Sequence, residues 1–259
     1  MTALRLALVQ QTASLDPAEN RDLLGTVAER LEPDTDLVLL PEAFMRDFGS
    51  PGSDIAAFAE QMDGPFVQRL TEVAAAHRTT VVAGMFEVSE DPQRPFNTLA
   101  VVDADGLRAS YRKIHLYDSF GYKESDRLSA GELKPAMVEV GGVSVGLMTC
   151  YDLRFPELAR ELVGRGAELL VVPSAWVAGP GKVHHWRTLA IARAIENTAY
   201  VAAVGQPGPR YTGHSLVAGP AGDLVAEVGD GDHVLTASVN LETLDQARAD
   251  NPSLQNRRM

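Results

Sequence analysis

Val143-Ser144-Val145-Gly146-Leu147-Met148-Thr149-Cys150-Tyr151-Asp152-Leu153-Arg154-Phe155-Pro156-Glu157 reads as an apolar strand, a polar turn and a helix start in immediate succession. Val143 to Met148 is a continuous apolar run of strand length. Pro156 suits the first position of a helix, where a backbone N–H would find no intrahelical acceptor. Leu158, Ala159 and Leu162 continue that helix until Gly164 and Gly166 stop it. Cys150 therefore falls in a strand-to-helix turn. Immediately upstream, Met137 to Val140 pairs with the strand around Gly141-Gly142, because glycines accept the positive φ of a tight hairpin.

Toward the N-terminus the same units recur. Ala3 to Gln10 is an apolar strand, and Asp16-Pro17 supplies an N-cap and a first-turn proline for a helix to about Leu31. Asp36 to Leu40 is a short apolar strand with Pro41-Glu42 at its carboxyl end, where α/β proteins place functional groups. From Gly64-Pro65, the residues Phe66, Leu70, Val73, Ala74 and His77 keep helical spacing, and a strand from Thr79 to Val88 follows. Asn97 to Val102 and Leu107 to Ile114 form a hairpin around Asp105-Gly106, with Lys113 near its end.

Beyond Gly166 come a strand from Glu168 to Val172 and a helix from His184 to Asn197. Strands Ala199 to Gly205, Ser215 to Ala218, Leu224 to Val228 and Val234 to Asn240 follow, and a short C-terminal tail closes the chain. No linker, charge block or repeat divides the pattern, so residues 1–259 are expected to form one domain. Continuous apolar strands need cover on both faces, and hairpins mixed with βα units predict two mixed sheets. The expected fold class is α/β, a four-layer α-β-β-α sandwich.

Composition narrows the function. Apolar residues make up 45% and charged residues 22%, as in ordinary globular proteins, while the formal charge of -12 disfavours nucleic acid and anionic lipid as partners. The opening MTALRLALVQ lacks the charged start, long apolar core and cleavage site of a secretory leader, and no apolar stretch reaches membrane-spanning length. With Cys150 as its single cysteine the chain can form no internal disulfide, and a cytoplasmic location is expected. The histidines show no ligand spacing, so no metal is expected, and chemistry through a cysteine nucleophile needs no cofactor.

A lone cysteine is usually a small buried hydrophobe. Position changes the reading of Cys150, because a thiol in a turn that feeds a helix faces a cleft and lies near N–H groups able to stabilise a thiolate or an oxyanion. Glu42, at the end of a buried strand, is either half of a buried ion pair or a carboxyl whose raised proton affinity fits it for general acid-base work. Lys113 alone would read as an edge-strand lysine in solvent. Together, Cys150, Glu42 and Lys113 offer nucleophile, acid-base group and cation, the set that acyl transfer requires. No histidine is obviously placed as a base: His115 alternates with Lys113, and His184 and His185 start a helix.

At three segments the sequence resembles the nitrilase, or carbon-nitrogen hydrolase, superfamily. Leu39-Leu40-Pro41-Glu42-Ala43-Phe44, Tyr111-Arg112-Lys113-Ile114-His115-Leu116 and Gly146 to Glu157 occur in the family's order. The resemblance extends to Asn97-Thr98, Arg193 to Asn197, Gly213-His214-Ser215 and Gly219 to Gly222. It implies the sandwich derived above and a second glutamate, Glu124 in Lys123-Glu124-Ser125, that positions Lys113 and the substrate. Without the resemblance Glu124 would pass for a solvated loop carboxylate. It also implies a thioester on Cys150, with the Tyr151 backbone N–H and Lys113 meeting the oxyanion. The order Cys150-Tyr151-Asp152-Leu153-Arg154-Phe155-Pro156-Glu157 resembles the omega-amidase and deaminated-glutathione amidase branches. The implied activity is hydrolysis of a small amide, with an N-carbamoyl amidase next and a nitrilase third. A catalytically silent scaffold or binding module is the alternative of a different class.

Arg154, Trp176 and Tyr117 are the expected substrate-binding residues. Arg154 or Arg187 would suit a substrate carboxylate such as that of a 2-oxo-acid amide, although each also reads as an ordinary ion-pair partner. Trp176 to Gly181 and Tyr117 to Tyr122 follow strand ends and are expected as pocket walls, while Trp176 and Phe48 also fit a core role. The resemblance further implies a homodimer or larger assembly, with a tail such as Asn251 to Arg257 crossing between subunits.

Overall fold

Alternate side chains of Ala3–Gln10, the first strand (β1), serve two different cores: Leu4, Leu6 and Leu8 lie in one, Ala7 and Val9 in the other. That split is the two-residue period of a strand buried on both faces. The computed structural model describes residues 3–258, so Met1, Thr2 and Met259 of the expected domain lie outside the described residues. After β1 come α1 (Pro17–Ala28), β2 (Leu37–Leu39), α2 (Pro65–His77), β3 (Thr80–Glu87), β4 (Phe96–Asp103), β5 (Gly106–Arg112), β6 (Asp118–Ser119), β7 (Tyr122–Lys123), β8 (Met137–Val140) and β9 (Val143–Leu147). The second half holds α3 (Pro156–Gly164), β10 (Leu169–Ser174), α4 (Lys182–Asn197), β11 (Tyr200–Gly205), β12 (Leu216–Ala218), β13 (Leu224–Glu227), β14 (His233–Asn240) and α5 (Leu241–Asp250).

Two six-stranded sheets run in the orders β14-β1-β2-β3-β4-β5 and β13-β12-β11-β10-β9-β8. Each has a parallel centre, β1-β2-β3 or β9-β10-β11, and antiparallel flanks. Leu6, Leu39 and Leu99 of the first sheet share a core with Val145, Leu147 and Val201 of the second, so the sheets pack face to face. Leu24 and Val27 of α1 and Phe66 and Leu70 of α2 cover the outer face of the first sheet. Leu158 and Leu162 of α3, with Trp186 and Ala190 of α4, cover the second. The result is the four-layer α-β-β-α sandwich expected from the sequence.

Local chemistry explains most boundaries. The Asp16 side chain accepts the Ala18 N–H at 2.8 Å and opens α1 with Pro17 in its first turn. Gly141 and Gly142, at φ +57° and +81°, make the β8-β9 turn. Three expectations need correction. The β4-β5 register pairs Asp103 with Gly106, so the turn is Ala104-Asp105, one residue earlier than the Asp105-Gly106 dipeptide suggested. Helix α1 stops at Ala28 rather than near Leu31, and short turns follow it. The C-terminal tail is partly a helix: Asn240 caps α5 by accepting the Glu242 N–H at 2.8 Å, while Leu244 is its buried residue. No helix among the described residues is long and apolar enough to cross a membrane.

The turn after β2 lies on β3 through Gly84, whose N–H donates to Pro41 O at 3.1 Å and whose carbonyl accepts the Met45 N–H at 3.0 Å. A Cβ on Gly84 would come within 2.4 Å of Ala43 N and 2.6 Å of Glu42 Cα, both backbone atoms that cannot swing aside. Gly84→Ala is therefore expected to destabilise the fold by about 1–3 kcal/mol or more, read as a lower urea midpoint, and to displace Glu42. A midpoint equal to wild type would contradict this packing.

Candidate active site

The three expected groups sit just beyond strand ends. Glu42 follows β2 in a turn where Ala43 takes φ +54°, and Gln206 Nε2 fixes the Glu42 carbonyl at 2.9 Å. Lys113 follows β5, with its backbone N–H on Asn97 O at 2.8 Å and its carbonyl accepting the Gly131 N–H at 2.8 Å. Cys150 follows β9 and opens a single 3₁₀ turn, Cys150–Arg154, that leads into α3.

Lys113, 2% exposed, donates from Nζ to Glu42 Oε1 at 2.8 Å and to Glu124 Oε2 at 2.9 Å and Oε1 at 3.1 Å. Asn97 Nδ2 bridges the same carboxylates, at 2.8 Å from Glu42 Oε1 and 3.3 Å from Glu124 Oε1. Glu42 Oε2 accepts the Ala175 N–H at 2.7 Å, and Glu124 Oε2 accepts the N–H of Tyr117. Such a cluster holds its geometry because each buried charge has partners; removing one would strand the rest in a low-dielectric interior.

Cys150 has φ +46°, a conformation that costs a non-glycine residue roughly 1–3 kcal/mol. The cost is tolerated because Asp152, fully buried, pins the turn. Its Oδ2 accepts the Thr149 N–H at 2.8 Å and the Tyr111 hydroxyl at 2.7 Å, and its Oδ1 accepts the His115 N–H at 3.2 Å and contacts His115 Nδ1 at 2.7 Å. One carboxylate thus ties the cysteine turn to the segment that carries Lys113. His115 stacks on Phe155, with ring centroids 3.8 Å apart, which leaves it in the scaffold of the turn.

Burial pushes the Cys150 thiol well above its ordinary pKa, and the Glu42 carboxylate, hydrogen-bonded to it, adds to the effect, while the Lys113 ammonium opposes it. Burial acts to lower Lys113, but Glu124 and Glu42 outweigh it and hold the ammonium charged well above the usual lysine range. Glu124 is raised, first by burial and then by Glu42, against the pull of Lys113. A resting site of this kind keeps its proton on sulfur beside a carboxylate able to take it.

The thiol, the ammonium and both carboxylates line the floor of a cavity of about 410 Å³. Its walls include the expected residues Tyr117, Trp176 and Arg154, together with Tyr151 and Phe48. Arg187 lies elsewhere, paired with Glu227 at 2.9 Å, and His184 and His185 belong to the first turn of α4, which starts at Lys182 rather than His184. Phe120 lies in the stretch expected as a pocket wall, but sequence reasoning did not single out the bridge by Asn97, the anchor at Asp152, or Lys182 and Arg210 in the cavity wall. A glycine-flanked proline, Gly179-Pro180-Gly181, marks the start of α4, yet nothing local shows that Lys182 turns toward the cavity. Among the described residues no group of three or more His, Cys, Asp or Glu side chains is arranged to hold a metal ion.

Two helix-covered mixed sheets with this cysteine, lysine and glutamate pair at their strand ends define a protein of the nitrilase type. The carbon-nitrogen hydrolase family model matches residues 5–249, and the chain belongs to that family. It is 40% identical to the deaminated glutathione amidase of Escherichia coli O157:H7, covering 90% of this chain and 88% of that one. Against the omega-amidase NIT2 of Homo sapiens the identity is 33%, covering 100% and 96%. The amidase from Nesterenkonia sp. AN1, solved as a mutant with the acetamide moiety of fluoroacetamide added covalently at its active-site cysteine, superposes with a TM-score of 0.82 at 32% identity, covering 98% of this chain and 94% of that one. These similarities agree with the family and the amidase branches expected from the sequence.

The electrostatics fix the sign of a pH effect. Because burial and Glu42 raise the thiol, alkylation of Cys150 by iodoacetamide is expected to accelerate into the alkaline range rather than level off at neutral pH. Glu42→Gln removes a negative charge from beside the sulfur and leaves Lys113 in place, so the alkylation profile should move to lower pH. A profile that moves upward or stays put would contradict the arrangement.

Proposed function

We propose that this carbon-nitrogen hydrolase is an amidase that converts a small linear amide to a carboxylate and ammonia through a thioester on Cys150. The observation that carries the reading is a thiol on the floor of a cavity, hydrogen-bonded to Glu42 and flanked by an ammonium that two buried carboxylates keep charged. Glu42 takes the thiol proton as sulfur attacks the amide carbonyl. The Lys113 ammonium and the Tyr151 backbone N–H meet the developing oxyanion. Collapse of the tetrahedral adduct breaks the carbon-nitrogen bond, and the departing nitrogen takes its proton from Glu42, leaving as ammonia. Glu42 then deprotonates water, which attacks the thioester; carboxylate leaves and the thiol recovers its proton. Glu124 positions Lys113, while Arg154, Trp176 and Tyr117 contact substrate.

The relatives named deaminated glutathione amidase and omega-amidase support an amide rather than a nitrile as substrate. No step in the sequence above calls for a metal or organic cofactor. We further infer that residues 1–259 act as one carbon-nitrogen hydrolase domain, that the protein works in the cytoplasm, and that it pairs as a homodimer, which light scattering at micromolar concentration tests directly.

Incubating the protein with omega-amides, aliphatic amides, N-carbamoyl amino acids and nitriles, with ammonia and carbon dioxide recorded together, decides the reading. Ammonia without carbon dioxide from the amides is expected. Carbon dioxide release would favour a carbamoyl substrate, and no turnover of any class would leave a scaffold. Lys113→Met removes an oxyanion donor and is expected to lower kcat/KM by about 10²–10³-fold. It also strands Glu42 and Glu124 together and should cost about 3–5 kcal/mol of stability. Adding Glu124→Gln should restore part of the stability but not the activity; recovery of both would contradict the role given to Lys113.

A further inference from the structure

We propose that Gln206 is a positioning residue for catalysis, which grips the main chain of Glu42 from the opposite sheet and so keeps the general base on the thiol. The role rests on the amidase reading and deepens it. Gln206 follows β11 and is fully buried, yet it forms no part of the cavity wall. Its backbone N–H donates to Ser174 O at 2.9 Å and its carbonyl accepts the Gly213 N–H at 2.8 Å, so the base of the side chain is held on both sides. The amide at the far end spends both of its groups on the first sheet: Nε2 donates to Glu42 O at 2.9 Å, and Oε1 accepts the Ala13 N–H at 3.1 Å.

The two segments it joins are also laced to each other. Asn20 Nδ2 donates to Ser14 O at 2.8 Å and to Met45 O at 3.0 Å, and the Asp47 N–H donates to Ser14 O at 2.9 Å. One amide from the second sheet therefore clamps the chain just beyond β1 together with the turn beyond β2. A neutral amide suits the place, because it offers an N–H to a carbonyl and an oxygen to an N–H at once. Without it both backbone groups would lose their partner, at a cost in free energy.

The peptide that Gln206 grips leads directly into Ala43, whose φ of +54° is unfavourable for a residue with a Cβ. Turning that peptide would let Ala43 leave the left-handed region. The bond from Gln206 opposes the turn and gives Glu42 a fixed base. Glu42 needs one, because its carboxylate serves both sheets. Oε1 takes Lys113 and Asn97 from the first sheet, Oε2 takes the Ala175 N–H from the second, and the Cys150 thiol, beyond β9 of the second, bonds to the same carboxylate. Gln206 ties the two sets together, with its N–H on Ser174, next to Ala175, and its amide on Glu42 itself.

Gln206→Met keeps the length of the side chain and removes both hydrogen bonds. It should lower kcat by about 10–10²-fold, the effect of a small misplacement of a reacting group, with KM little changed because Gln206 does not line the cavity. In mildly acidic buffer, where burial keeps an introduced carboxyl protonated and able to donate, Gln206→Glu should retain more of kcat than Gln206→Met; an equal loss in the two would overturn the proposal. Leu244→Ala, buried on α5 and away from the cavity wall, controls for lost stability. It should lower the urea midpoint and leave kcat in place, and a loss of kcat equal to that of Gln206→Met would overturn the proposal.

Iodoacetamide reads the role without turnover. Glu42 raises the thiol, so loosening Glu42 should move the alkylation profile of Cys150 to lower pH, in the same direction as Glu42→Gln. Gln206→Met should then add nothing to the shift of Glu42→Gln in the double variant. A profile that Gln206→Met leaves unmoved, or shifts that add in full, would show that the two residues act separately and overturn the proposal. If Gln206→Met does not fold, Gln206→Asn, one methylene too short to reach both partners, takes its place in each measurement. If wild type turns over no amide, the amidase reading fails, while the alkylation cycle still decides the role of Gln206.

Discussion

The ammonium of Lys113, held almost wholly buried between the carboxylates of Glu42 and Glu124, is the interaction on which the site depends. Three charges in a low-dielectric interior are tolerable only when each is partnered in fixed geometry. The fold supplies that geometry from separated parts: Glu42 comes from the turn after β2, Lys113 from the end of β5, and Glu124 from the segment after β7. Asn97 and the Ala175 N–H fill positions that the lysine leaves open. Ala175 follows β10 of the second sheet, so the contact between the sheets and the alignment of the charges are one constraint.

Strain and rigidity meet at the cysteine. A left-handed φ at Cys150 is paid for by Asp152, which binds the turn on one side and Tyr111 and His115 on the other. The thiol cannot move relative to Lys113 without breaking that network. Because burial and Glu42 raise its pKa, it is poised for proton transfer at the moment of attack rather than stored as a thiolate.

Much of this was legible in the sequence. Apolar runs such as Leu37–Leu39 and Leu169–Ser174 are buried along their whole length and stood out as strands. Pro17, Pro65 and Pro156 marked three helix starts. Helix α5 escaped because its apolar face is short: Leu244 alone is buried, leaving no helical period to detect. The turn at Ala104-Asp105 shifted because a bulge between Val101 and Val102 changes the β4-β5 register, which residue preferences do not encode. Glu42 and Cys150 could be named because each follows an apolar strand, and Lys113 because it completes with them the set that acyl transfer requires. Glu124 needed the family resemblance, since its own neighbours, Lys123 and Ser125, look like solvent-facing loop. Asn97 matters through a partner distant in the chain, Glu42, which no local pattern reveals.

The central claim is that the sulfur of Cys150 forms a covalent bond to the acyl carbon of the substrate while Glu42 moves the protons. Intact-protein mass spectrometry, on enzyme acid-quenched during turnover of a slow amide and then digested to locate the modification, tests it most directly. The account predicts a mass increase equal to the acyl group, on the peptide containing Cys150, that disappears once substrate is exhausted. Steady turnover with no adduct at any quench time, or normal turnover by Cys150→Ala, would contradict it.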